Sequence, residues 1–368
     1  MTSTLFSPIK LRELTLPNRV VVAPMCQYIS DDGCSNDWHL MHYGQFAMGA
    51  AGLVIQEATG VSPEGRISLK CAGMYTDAQE VAAKRVVDFC KKFGAAKIGI
   101  QLAHSGRKGS TLPPALGGRS LTADEGAWKT VAPSALPYAP DWQVPEALDR
   151  AGMDKIKADF VSAVKRAERV GYDLIEFHAG HGYLMHEFLS PLSNQRSDAY
   201  GGSAENRMRF PLEVFAAMRA AWPADKPMGI RVSAVDWVEG GLTIEQTVQF
   251  AKELKKLGCD YVDVSSGALD PAQQVPLAPG YNVPFAARVK QESGVVTRAV
   301  GLITEAKLAE QILSSGQADM IAIARGAMWD PRWAWHAALE LGTEANYPPR
   351  ATPCLPALRP QIFGNLKK

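Results

Sequence analysis

Eight short apolar runs recur along the chain, and stretches of helical periodicity lie between most of them. The runs are residues 19–25 (RVVVAPM), 52–58 (GLVIQEA), 97–102 (KIGIQL), 172–177 (YDLIEF), 228–232 (MGIRV), 261–265 (YVDVS), 295–300 (VVTRAV) and 319–324 (DMIAIA). Each is close to continuously apolar rather than alternating, the pattern of parallel strands covered on both faces. Residues 77–93, 154–170, 204–221, 243–257, 304–313 and 331–341 read as helices, with Val81, Val86, Val87 and Cys90 at roughly helical spacing in the first. Gly94, Gly171, Gly258 and Gly316 stand where helices should stop, and Thr243 and Thr304 where two should start. Strand and helix alternating eight times predict an α/β fold, a single (β/α)8 TIM barrel. A doubly wound sheet is the competing solution, but it needs no eightfold count. No G-x-G-x-x-G joins a strand to a helix here to support it.

The chain has 368 residues, more than the about 250 of a typical barrel. The surplus is localised. Residues 105–152, rich in Pro, Gly and Ser, read as a capping excursion on the third βα loop, because structureless loops of that length are usually functional. Residues 347–368 form a C-terminal tail, so residues 1–368 make one domain. Lys plus Arg is 39 and Asp plus Glu is 38, a net charge of +1. That balance offers no surplus for phosphate backbones and points away from nucleic acid. No run reaches the ~18 apolar residues of a membrane span. The N-terminal segment lacks the basic start and apolar run of a signal peptide, so a cytoplasmic location is expected. The six cysteines are scattered without a C-x-x-C pair, which argues for free thiols rather than a zinc knuckle or disulfide framework.

Barrel chemistry lies at the carboxyl ends of the strands, and there the inventory is unusual. Gly301 after the seventh strand and Arg325 after the eighth either suit a phosphate, the first by close backbone approach and the second as a fork of donors, or are a tight turn and a surface arginine. His178, His181 and Tyr183 follow the fourth strand. The His-x-x-His pair is open to three readings: metal ligands with a third partner such as Glu176, His104 or His186, donors to an anionic substrate oxygen, or structural histidines. Tyr183 is placed to deliver a proton as a general acid or to be a plain loop aromatic. Cys26 is either a buried inert thiol or a sulfur in contact with a cofactor.

Longer segments carry a resemblance. Residues 178–210, HAGHGYLMHEFLSPLSNQRSDAYGGSAENRMRF, closely resemble the signature of the old yellow enzyme family of flavin-dependent ene-reductases. Supporting segments are LPNRVVVAPMCQY (16–28), QLAHSGRKG (101–109), APSAL (132–136), AVGLIT (299–304) and ARGAMWDPRWAWHAA (324–338). The resemblance covers the chain to about Tyr347. Cys26 with Tyr28 is similar to the thermophilic-like branch, which includes xenobiotic reductases and bacterial NADPH dehydrogenases. Gly180 is the departure from the more familiar His-Ala-Ala-His form.

The resemblance implies a barrel holding noncovalent FMN, with NADPH as reductant and ping-pong reduction of the activated C=C bond of α,β-unsaturated carbonyl or nitro compounds. It puts Pro24, Met25 and Cys26 beside the isoalloxazine, with Cys26 tuning its potential. Ala58 and Gln101 would meet the pyrimidine edge, and Arg231 the N1 and O2 side. Val300, Gly301, Leu302, Ala324 and Arg325 would hold the phosphate. His178 and His181 become donors to the substrate oxygen, Tyr183 the proton donor, and Tyr28 and Lys108 substrate-pocket residues. No metal is implied. The tail departs from the family pattern, and neither Arg350 nor Arg359 is assigned a role. A homodimer or homotetramer is the expected assembly. The competing functions are a metal-dependent hydrolase barrel using His178, His181 and His104, a sister dienoyl-CoA reductase, and a non-catalytic flavin carrier.

Overall fold

A computed structural model describes residues 3–355 and 358–363. Two antiparallel strands, β1 (Ile9–Leu11) and β2 (Leu14–Leu16), open the chain. The eight expected barrel strands follow: β3 (Val20–Val22), β4 (Leu53–Gly60), β5 (Lys97–Ala103), then, after the short β6 (Val131–Ala132) and β7 (Glu146–Ala147), β8 (Leu174–Ala179), β9 (Met228–Ser233), β10 (Tyr261–Ser265), β11 (Val296–Ala299) and β12 (Met320–Ile323). They close on themselves in chain order, β12 pairing with β3, and every barrel pairing is parallel. The eightfold count therefore holds, and each run lies within a few residues of its strand.

The helices wrap the outside. They are α1 (Asp37–Met48), α2 (Asp77–Phe93), α3 (Arg150–Val170), α4 (Leu184–Leu189), α5 (Ala204–Ala221), α6 (Ile244–Lys256), α7 (Val283–Ser293), α8 (Ala306–Ser314), α9 (Arg325–Trp329) and α10 (Trp333–Glu340). Side-chain caps start several: Thr76 with Gln79 on α2, Asp149 on α3 and Ser203 on α5, each satisfying an N–H that the helix leaves open, worth about 1 kcal/mol. Thr243 occupies the cap position of α6 without a capping bond, and α8 starts one residue later than the Thr304 cap implied, with Glu305 as its N-cap. Sequence periodicity missed α1, α4, α7 and α9. In α1 the buried face holds His39, His42 and Gly44 beside Tyr43 and Phe46, so the apolar stripe is broken. Among the described residues no helix is long and apolar enough to cross a membrane.

Residues 104–149 leave the barrel between β5 and α3. Three short turns of 3-10 helix and the β6–β7 pair give them local structure.

The strand period of two sorts side chains into the helix-facing core and the lumen. Lumen positions stack in layers. At the amino-terminal end, Val21, Leu53, Ile55, Leu174, Tyr261 and Met320 pack with Leu11 and Leu16 of the opening hairpin, which plugs the barrel. At the carboxyl end, Ala23, Val300, Ala322 and Ala324 form a cluster of mostly small side chains. Between these layers lies an ionic one. Glu176, Asp263 and Arg298 are fully buried, and Arg231 is nearly so. The strands are thus less uniformly apolar than their sequences suggest, with one charge embedded in each of β8, β9, β10 and β11.

Candidate active site

The loops at the carboxyl end of the barrel enclose a cleft of about 420 Å3. His181, Arg231, Val300, Gly301, Leu302, Ala324 and Arg325 line it, bringing together residues from the loop after β8, strand β9 and the loops after β11 and β12. Gly301 has φ +128°, a conformation that strains any other residue. Among the described residues, the backbone N–H groups of Gly301 and Leu302 donate to no partner within the chain. Asn282 also lines the cleft, and its buried Nδ2 is without an acceptor. The cleft is therefore rich in unpaired donors.

The loop after β8 carries His178, His181 and Tyr183. The two imidazole centroids are 5.2 Å apart and the His178–Tyr183 ring centroids 5.0 Å apart. Two glycines permit this packing. A Cβ on Gly180 would come within 3.0 Å of the Val232–Ser233 backbone, and one on Gly182 within 2.3 Å of the Ala268 carbonyl oxygen. Gly180, the departure from the familiar motif, is therefore the residue that lets this loop lie against β9. The Gly180 N–H donates to His178 Nδ1 at 3.3 Å, which leaves the proton on Nε2. His181 Nε2 lies 2.8 Å from Ser265 Oγ, and its N–H donates to Ser233 Oγ. Burial, then the charge of Arg231, holds both imidazoles well below the usual histidine range, so both are neutral. His186 anchors the loop from below. Its Nδ1 accepts from Gly182 N–H, and its Nε2 lies 2.8 Å from Asp236.

Cys26 and Tyr28 follow β3. Burial pushes the Cys26 thiol well up, with smaller contributions from Cys71 and Glu57, while the backbone of Ala58 and the Tyr28 hydroxyl hydrogen-bond to the sulfur and oppose that shift. Burial likewise raises the phenols of Tyr28 and Tyr183, so both keep their protons. Ala58 follows a register shift between β4 and β5. Next to it, the buried Glu57 carboxylate accepts from the Gln27 N–H and the Tyr43 hydroxyl, fixing the segment that holds Cys26. Pro24 and Met25 lie directly upstream.

Gln101 and Arg231 are joined through the ionic layer. Gln101 Nε2 donates to Glu176 Oε1 at 2.7 Å. Glu176 Oε2 accepts from Tyr261 at 2.9 Å and pairs closely with Arg298. Arg298 Nη2 lies 2.9 Å from Asp263 Oδ2, and Arg231 Nε lies 3.1 Å from the same oxygen. Removing one member of such a buried pair costs about 3–5 kcal/mol in general.

Pro24, Met25, Cys26, Tyr28, Ala58, Gln101, Lys108, His178 and Tyr183 are not among the residues lining the cleft. The ammonium of Lys108 donates to the carbonyls of His181 at 2.9 Å and Ala268 at 2.8 Å, above the rings of Tyr138 and Tyr183. It ties loops together beside the Tyr183 ring. Arg107 does similar work, binding the carbonyls of Leu136, Pro137 and Leu269. His104, the third ligand of the metal reading, is turned to its own loop, its Nδ1 accepting from Gly106.

Strain gathers at this face. Of the nine non-glycine residues with positive φ among the described residues, Tyr28, His181, Trp237, Ala268 and Leu302 all follow barrel strands at the carboxyl end. Such backbone costs of order 1–3 kcal/mol per residue and clusters at functional sites. Sequence reading missed Glu176 as part of the ionic layer, and with it Asp263, Arg298, Ser265 and Asn282. A charge inside an apolar strand was the available signal for Glu176, Asp263 and Arg298.

Comparison with known proteins agrees with this geometry. Residues 4–344 match the NADH:flavin oxidoreductase / NADH oxidase family. The chain is 44% identical over 350 residues to an NADPH dehydrogenase of Geobacillus thermodenitrificans, covering 95% of this chain and 97% of that one. It is 43% identical over 348 residues to an NADPH dehydrogenase of Listeria innocua, covering 94% and 97%. Among solved structures, morphinone reductase in complex with tetrahydroNAD superimposes with a TM-score of 0.76 at 30% identity, covering 95% of this chain and 93% of that one. A 2-naphthoyl-CoA reductase shares the fold, with a TM-score of 0.82 at 22% identity over 92% of this chain and 52% of its own.

Proposed function

The chain belongs to the NADH:flavin oxidoreductase / NADH oxidase family and is an FMN-dependent oxidoreductase, as its resemblance to the old yellow enzymes implied; from that premise we propose that it reduces the activated C=C bond of α,β-unsaturated carbonyl or nitro compounds with NADPH. Family membership sets the hydrolase alternative aside. The observation that carries the proposal is the packing of two neutral histidines against each other at 5.2 Å, with a protonated tyrosine 5.0 Å from one of them.

The cleft fits FMN. Its unpaired donors, the Gly301 and Leu302 N–H groups with Arg325 close by, suit a phosphate. Small side chains at Ala23, Ala322 and Ala324 leave room above the lumen. Gln101 has its Nε2 committed to Glu176, so its Oε1 is turned into an oriented acceptor, as the N–H of a pyrimidine edge requires. Arg231 supplies fixed positive charge on that edge. Val300 and Ala58 complete the cradle, with Pro24, Met25 and Cys26 on one side. The chemistry FMN supplies when bound is hydride exchange, from NADPH and then to the β-carbon of the alkene.

The chain's own residues do the rest. His178 presents Nε2–H to the substrate oxygen. In the tautomer that accepts from Ser265 at Nε2, His181 offers a second N–H from Nδ1. Both donors are uncharged, so neither loses its hydrogen to solvent at ordinary pH. Together they withdraw electron density from the conjugated bond. Tyr183 keeps its phenolic proton until the α-carbon needs it, a contribution typically worth 10²–10⁴-fold. Tyr28, beside Cys26, narrows the entrance. A single cleft serves reductant and oxidant in turn, which is ping-pong order.

Labelling tests this directly. With NADPH in D2O, the saturated product of 2-cyclohexenone is expected to carry solvent deuterium at the α-carbon and unlabelled hydrogen at the β-carbon. A saturated product without solvent deuterium at the α-carbon, or failure to consume any activated alkene in a panel of enones, maleimides and nitroalkenes, contradicts the proposal.

A further inference from the structure

Arg231 and Gln101, the two side chains assigned to the pyrimidine edge, are not independent. A single buried chain runs from one to the other: Arg231, Asp263, Arg298, Glu176, Gln101. Its links are 3.1 Å, 2.9 Å, one closer contact between Arg298 and Glu176, and 2.7 Å. Charges alternate along it, two cations and two anions, so the layer is neutral as a whole. Asp263, Arg298 and Glu176 are wholly enclosed and line no part of the cleft. An apolar layer closes the barrel below them, so the chain has no exit on that side.

Two details show that this chain does more than fill space. Asp263 Oδ2 stands at ion-pair distance from both guanidinium groups, and neither Asp263 oxygen has a well-formed hydrogen bond. An aspartate serving Arg231 alone would have both oxygens free for that fork; here its charge is divided, and Arg231 keeps part of its field for the cleft. Glu176 is saturated differently, with Tyr261 and Arg298 on one oxygen and Gln101 on the other. Its orientation is fixed before anything enters the cleft, and it fixes the Gln101 amide in turn.

We propose that Asp263, Arg298 and Glu176 are positioning residues that set the electrostatic potential at the pyrimidine edge of the bound flavin, Asp263 by dividing its charge between Arg231 and Arg298, and Glu176 by locking the Gln101 amide. The inference rests on the FMN reading above. Reduced flavin accumulates negative charge on that edge. Removing an anion from the layer therefore favours the reduced form, and removing a cation disfavours it.

The test is the flavin midpoint potential of the purified holoenzyme, with thermal unfolding measured beside it. Asp263→Asn is expected to shift the reduced-to-oxidised ratio at a fixed potential by about tenfold toward reduced flavin, ~30 mV for a two-electron couple. Arg298→Gln is expected to shift it by a similar factor the other way. The conservative Asp263→Glu should keep the wild-type potential. A merely structural layer lowers the melting temperature in both variants and leaves the potential where it was, or moves it in one direction for both; either result overturns the inference. The two substitutions carry the test separately, so one that fails to accumulate leaves the other to decide. Wild-type protein that binds no FMN would instead overturn the reading on which the inference rests.

Discussion

Lys108 Nζ lies 2.9 Å from the carbonyl oxygen of His181, and the same nitrogen reaches Ala268 at 2.8 Å. Both acceptor residues have positive φ, +57° and +68°. One side chain from the loop after β5 thus holds the strained turns after β8 and β10 in register. Burial pulls the Lys108 amine down to about 8. Charged or neutral, it retains enough N–H groups for both carbonyls.

Lys108→Met is therefore expected to loosen the histidine loop without emptying the cleft. Two hydrogen bonds disappear, each worth about 0.5–3 kcal/mol depending on the charge of the amine. Reoxidation by an enone should slow by about tenfold or more, a barrier change near 1.4 kcal/mol, while FMN content stays at the wild-type level. Single-turnover kinetics with flavin quantitation checks this. Unchanged reoxidation in a flavin-loaded variant contradicts the strut role.

Tyr183→Phe removes the phenolic proton and little else, because the ring packing against His178 is kept. Enone reduction is expected to fall about 10²–10⁴-fold, with reduction of the flavin by NADPH within a few-fold of wild type. Separate measurement of the two half-reactions distinguishes the outcomes. Equal losses in both would remove Tyr183 from the proton step.

Cys26→Ala takes away a half-buried sulfur whose surroundings disfavour the thiolate. A neutral, polarizable thiol beside the flavin affects its potential more than its binding. The variant should retain FMN and show a shifted midpoint potential. An unshifted potential demotes Cys26 to packing.

Glu187 gives a pH prediction. Burial raises its carboxyl to about 8, against the favourable charge of Arg107 and the hydrogen bond from the Arg107 N–H. The folded value lies above the unfolded one, so this group's contribution to stability is complete below pH ~4.5 and is lost as pH rises through about 8. Glu187→Gln keeps the acceptor for that N–H and cannot ionise. Relative to this variant, wild type should lose stability between pH 5 and pH 8, on the order of a few kcal/mol. Denaturant unfolding at both pH values reads the difference, and parallel profiles for the two proteins contradict it.

The barrel was legible because parallel strands buried on both faces leave near-continuous apolar runs, and residues 261–265 coincide with β10 in full. The stretches 77–93 and 204–221 coincide with α2 and α5 in full, although the Thr76 and Ser203 caps that start them were not read from the sequence. Helix α1 was not legible, because its buried face carries two histidines and a glycine that break the apolar stripe. The site divides in the same way. Residues displayed on loops, such as His178, His181 and Arg325, form recognisable strings. Asp263 and Arg298 do not, because their meaning depends on closure of the sheet, which brings β8, β9, β10 and β11 side by side. The contacts of Lys108 were not legible either, since nothing local in Gly106-Arg107-Lys108 shows that the carbonyls of His181 and Ala268 come within reach.

The most direct measurement is anaerobic double-mixing with the flavin absorbance as signal. The purified protein is first mixed with one equivalent of NADPH and then with 2-cyclohexenone. Bleaching of the flavin in the first mix and its rapid return in the second, with one saturated ketone formed per NADPH consumed, is the predicted result. A flavin that bleaches but stays reduced in the presence of every activated alkene tried would contradict the proposed reaction.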